Sequence, residues 1–137
     1  MDILVLIGRI LFAALFLQSA VAHFTQTKPM SQYAASKGVP AAYAATFAGG
    51  IPLALGGVSV LLGIWADLGS LLLVVFLVPT AIYMHGFWRE TGDGRMNEMV
   101  QFNKDIALAG AALAMAGLFA IAGDDLGLTI TGPLFGR

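Results

Sequence analysis

The sequence predicts an all-α fold, an integral membrane bundle of four antiparallel helices forming one domain over residues 1–137, and three observations carry that prediction. Of the 137 residues, 58% are hydrophobic and only 11% charged, too few polar side chains to cover a small water-soluble domain. Apolar runs recur over about residues 3–24, 41–65, 69–88 and 102–122, each near the roughly 20 residues that cross a hydrocarbon core as a helix. The charges collect between these runs instead of along helix faces. A net charge of −1 gives no ground for a nucleic-acid partner. With no cysteine, the chain has no disulfide, thiolate nucleophile or iron–sulfur ligand of its own. Any redox chemistry therefore needs a bound cofactor or a partner.

The first span carries one internal charge, Arg9. At about 100° per residue, Arg9, Ala13, Phe16, Ala20 and His23 fall on one stripe, which is expected to face the bundle. Arg9 either snorkels to the nearer interface or is buried with partners. The same segment resembles a signal peptide, with Arg9, an apolar stretch and small residues before His23. It is read here as a retained span. Gln18 points away from Arg9, and an amide facing lipid is unfavourable enough to suggest cover by another membrane subunit or a second copy of this chain.

Residues 25–40 are polar, with a short interfacial helix expected over 31–37 that ends at Gly38. The second span is dense in small residues, among them Ala48, Gly49, Gly50, Gly56, Gly57 and Gly63. That density is a packing signal, expected to bring the second and fourth spans into close contact. A phosphate-binding loop is a poor alternative, because no strand precedes these glycines and no lysine follows them. The brief turn at 66–69 makes the second and third spans antiparallel neighbours. Residues 71–88 form an almost unbroken apolar run, roughly 27 Å of helix, closing on His85 and Trp88. Pro79 interrupts it, a break that lipid alone cannot compensate and that implies helices around it. A polar stretch then leads to the fourth span, where Ala109, Ala112 and Ala116 share a face with Asp105. The tail after residue 122 is too short to span again.

With four antiparallel spans, His23, His85, Trp88, Arg89, Lys104 and Asp105 reach the same membrane surface. Lys28, Lys37 and Arg95 lie there as well, against Arg9 and Arg137 opposite, so the positive-inside rule makes this surface cytoplasmic. Asp105, at the start of a helix, is the group most in need of a partner, and His85 or Arg89 is expected to supply it.

Several motifs resemble the DoxX family of small four-helix bacterial inner-membrane proteins. They are Gly8-Arg9 with a polar residue ending the first span, Gly38-Val39-Pro40, Gly56-Gly57 with Leu62-Gly63, Met84-His85-Gly86-Phe87-Trp88 and Phe102-Asn103-Lys104-Asp105. Two departures stand out: His23 where many members carry lysine, and Pro52-Leu53 where many carry glutamate in the second span. The resemblance implies membrane-associated redox work, since relatives include a subunit of thiosulfate:quinone oxidoreductase and proteins linked to oxidative-stress defence. By that analogy the chain is a subunit of a quinone-linked oxidoreductase. His85 is then hydrogen-bond partner or proton donor to a quinone carbonyl, Trp88 a stacking wall, and Lys104 with Asp105 the electrostatic setting, with His23 beside them.

Three other readings compete. His85 and Trp88 form an interfacial anchor, with Lys104 and Asp105 neutralising neighbours. The chain is a non-catalytic accessory subunit that packs through its small-residue faces. Alternatively, His23 and His85 ligate a haem, or with Met84 a copper ion.

Overall fold

The computed structural model describes residues 1–136, so Arg137 lies outside the described part of the chain. The described residues form five α-helices: α1 (Asp2–Thr25), α2 (Thr27–Ser36), α3 (Ala42–Leu62), α4 (Ala66–Met84) and α5 (Gly92–Ala122). One turn of 3-10 helix, Phe87–Arg89, separates α4 from α5, and another, Gly123–Asp125, follows α5. Helices α1, α3, α4 and α5 are each long and apolar enough to cross a membrane, so the chain is a multi-pass membrane protein.

The stripe expected to face the bundle does so: Arg9, Ala13, Phe16 and Ala20 are the buried residues of α1. Helix α1 packs on α3, α3 on α4, and α4 on α5, while α2 lies against α3. The close contact expected between the second and fourth spans, α3 and α5, is not formed. The glycine face of α3 is used by its two flanking neighbours instead, with Gly56 against Leu73 of α4 and Gly57 against Leu17 of α1. The alanines of α5 complete the core, Ala109 and Ala112 joining Leu53, Leu73 and Leu77.

A side chain at Gly57 has no room, since a Cβ there would sit 2.9 Å from Leu17 Cδ2. Gly57→Leu is therefore expected to separate α1 from α3 and cost about 1–3 kcal/mol by overpacking. A thermal melt in detergent that matches the unmodified protein would refute this contact.

The helix boundaries differ from those expected where the chain is polar. The fourth span begins at Gly92, not Phe102, because the charged stretch 92–101 continues the same helix out of the apolar layer. The interfacial helix begins at Thr27, whose hydroxyl donates to the His23 carbonyl at 2.6 Å. It ends at Ser36, and Gly38 turns the chain away two residues later with φ +84°, a backbone geometry that glycine adopts without strain.

Arg9 is buried, 1% exposed, at the end of the bundle opposite His85. It donates to the Val60, Leu61 and Leu128 carbonyls at 2.7–2.8 Å. Two of these are end-of-helix carbonyls with no intrahelical partner, and the third belongs to the tail. The tail is held further by Asp67, whose carboxylate accepts from the Leu134 and Phe135 amides at 2.9 and 2.6 Å. A buried cation and a buried anion thus each bind backbone, and together they close this end.

Candidate functional site

At the other end the helices enclose a cavity of about 810 Å³. Leu15, Phe16, Leu53, Phe76, Leu77 and Leu108 make its walls apolar. His23, His85, Lys104 and Asp105 are among its polar groups, together with Thr46, Thr80 and Gln101, and Pro29, Met30, Tyr33 and Ala34 of α2 form the side nearest the polar surface.

His23 reaches α3 because Gly49 and Gly50 leave space. A Cβ on Gly49 would come 3.2 Å from its ring, and one on Gly50 3.1 Å from its own Cβ. Its Nδ1 lies 2.6 Å from the Thr46 carbonyl. A carbonyl only accepts, so Nδ1 carries the proton and Nε2 keeps a lone pair in the neutral ring. Phe76 meets this ring edge-on with centroids 5.7 Å apart.

His85 ends α4, where its amide closes the last turn on the Ala81 carbonyl. Its Nδ1 lies 2.7 Å from Glu98 Oε2, and its Nε2 is 3.8 Å from Asp105 Oδ2. The second distance is too long for a hydrogen bond and makes an ion pair only when the ring carries a second proton. Asp105 thus finds its partner in His85, as one of the two expectations had it. Arg89 turns away and donates to the Ile82 and Tyr83 carbonyls at the end of α4. Lys104 is exposed and lines the cavity mouth.

Glu98 is the centre of this polar network, and the sequence reading missed it. Its Oε1 accepts from the Tyr33 hydroxyl at 2.5 Å and from Lys37 Nζ at 2.8 Å, while Lys37 also binds Glu90 at 2.7 Å. The signal was present as spacing, since Glu98 and Asp105 are seven residues apart on α5, two turns along the stripe that continues through Ala109, Ala112 and Ala116. Treating 92–101 as loop concealed it.

The hydrogen bonds to Glu90 and Glu98 hold the Lys37 ammonium well above its ordinary pKa of 10.5. Burial, and then Glu98, also raises the Tyr33 phenol. Both shifts favour the protonated forms, so the stabilisation they give is complete below about pH 10 and is lost as pH rises through the raised values. The α2 amides are expected to stay protected from hydrogen exchange relative to those of α3 up to about pH 10, and to lose that protection above it. Opening of α2 near neutral pH would contradict this.

Trp88 is not part of the cavity wall. The chain breaks at Gly86, and the following 3-10 turn carries the indole to the outside, 51% exposed, where it packs edge-on against Phe87 and Phe102. Among the described residues, no group of three or more His, Asp or Glu is arranged to hold a metal ion.

Four spans thus surround a ligand-sized, mostly apolar cavity at one end of the bundle, with a few polar groups converging on it. The DoxX family model matches residues 4–86, and the chain belongs to that family. His23 and His85 fall inside the matched segment, whereas Glu98, Lys104 and Asp105 lie beyond it. The chain is also similar to inner membrane protein YphA of Escherichia coli strain K12, 27% identical over 114 residues that cover 83% of this chain and 81% of that protein. No solved structure matches.

Proposed function

We propose that this inner-membrane protein binds a quinone-like ring in the cavity and serves as the quinone-binding subunit of a membrane redox complex. One observation carries the reading: both histidines have Nδ1 fixed on the protein, leaving the Nε2 atoms of cavity-lining rings for a ligand between apolar and aromatic walls. A volume of about 810 Å³ is in the usual range of small-molecule sites and accepts a substituted ring with part of an apolar tail.

The donor set fits such a ring. When bound, a quinone supplies a carrier of two electrons and two protons. The neutral His85 ring accepts a hydrogen bond at Nε2 from a ring hydroxyl. The protonated ring donates from Nε2 to a ring carbonyl, and Asp105 and Glu98 on either side offset its positive charge. Lys104 at the mouth donates in either case. Apolar walls lower the local polarity, which strengthens each of these interactions.

The test is purification from native membranes in mild detergent, followed by solvent extraction and quantification of quinone. Quinone travelling with the protein at near one-to-one ratio supports the proposal. A preparation free of quinone that also fails to take up added quinone overturns it.

A further inference from the structure

We infer that Glu98 is a positioning residue that sets which nitrogen of His85 carries the proton, and that α2 and the residue after it control this setting through Tyr33 and Lys37. The two oxygens of Glu98 are divided between two elements. Oε1 receives both donors from α2 and the residue that follows it, Tyr33 at 2.5 Å and Lys37 at 2.8 Å, while Oε2 receives His85 Nδ1 at 2.7 Å. A carboxylate only accepts, so His85 holds its proton at Nδ1 and presents Nε2 to Asp105 and the cavity. Helix α2 forms one side of the cavity yet packs on α1 and α3. Its side-chain ties to the α4–α5 half are the bonds from Tyr33 and Lys37 to Glu98 and Glu90. Movement of α2 away from the cavity therefore unloads Oε1 of the carboxylate that fixes the histidine. Access to the site and the proton-bearing atom within it are coupled through one side chain.

This inference rests on the same cavity as the quinone proposal, but its test reads the histidine nitrogens and needs no ligand. The chain contains only two histidines, so ¹⁵N-histidine labelling of the full-length protein in nanodiscs gives two rings. His23, tied to the Thr46 carbonyl, is the internal control. Spectra are taken at about pH 9, where an ordinary imidazole is neutral and Lys37 stays charged. In the unmodified protein both rings are expected to carry the proton on Nδ1.

Glu98→Gln is expected to invert His85 alone. The amide must direct its single oxygen toward the donors Tyr33 and Lys37, so its NH₂ faces Nδ1, which must then accept. Adding Tyr33→Phe and Lys37→Met frees the amide to present its oxygen to the ring as well as its NH₂, and His85 is expected to regain the Nδ1 proton in part. The positioning role is overturned if His85 keeps its Nδ1 proton in Glu98→Gln while His23 is unchanged. Control by α2 is overturned if the triple variant stays inverted. Should Glu98→Gln not fold, the unmodified protein decides: an unprotonated Nδ1 on His85 refutes the positioning role. Failure of quinone to bind leaves each of these outcomes readable.

Discussion

Replacing Arg9 with leucine is expected to prevent stable assembly in the membrane. The guanidinium, 1% exposed, is the shared donor for the Val60, Leu61 and Leu128 carbonyls. Leucine leaves the buried Val60 carbonyl without a donor, at about 1–3 kcal/mol, and removes the part-buried bonds to Leu61 and Leu128 as well. A loss of about 3 kcal/mol is a large fraction of a domain's roughly 5–15 kcal/mol stability. Arg9→Lys is expected to rescue only in part, because one ammonium does not reproduce a planar fork aimed at three carbonyls. The measurements are the yield of monodisperse protein and the thermal melt in detergent, together with protease cleavage within residues 126–135, which the loss of the Leu128 bond should expose. An Arg9→Leu protein with an unchanged melt and a protected tail would show that these bonds contribute little.

Substituting His85 with alanine is expected to weaken ligand binding about 10- to 100-fold with little change in assembly. The ring offers Nε2 to the cavity, and hydrogen bonds involving charged groups are worth about 1.5–3 kcal/mol, a factor of ten per 1.4 kcal/mol. Its removal also takes away the nitrogen that lies 3.8 Å from Asp105 Oδ2, while Lys104 remains as a charge acting on that carboxylate. Helix α4 itself ends on a backbone bond from position 85 to the Ala81 carbonyl, which alanine keeps. An anchoring role would give the reverse pattern, a lowered melt with ligand affinity retained.

Hydrophobic run lengths and the α1 stripe made the spans and the burial of Arg9's face legible in the sequence, because membrane thickness and helical periodicity leave few alternatives. The choice between snorkelling and burial for Arg9 was not legible. It depends on where the carbonyls at the end of α3 and the residue 126–135 tail converge, which is a matter of tertiary structure. The neighbour of each small-residue face was hidden for the same reason: glycine density announces a close contact without naming which helix makes it. Topology brought His23, His85, Lys104 and Asp105 to one surface, and the cavity joins all four. It did not reveal Glu98, whose helix continues beyond the apolar run, or the outward turn of Trp88 after Gly86.

The central claim, a cavity around His85 that takes a quinone-like ring, is tested most directly by equilibrium titration of a short-chain, water-soluble quinone. The purified protein is held in nanodiscs, and quenching of intrinsic fluorescence from Tyr33 and Tyr83, which line the cavity, is followed. Leu108→Trp, which places an indole in the cavity wall, serves as the blocked control. Saturable one-site binding is expected in the unmodified protein, with none in the Leu108→Trp variant. Absence of saturable binding in the unmodified protein, or equal binding by the folded Leu108→Trp variant, would contradict a quinone site in this cavity.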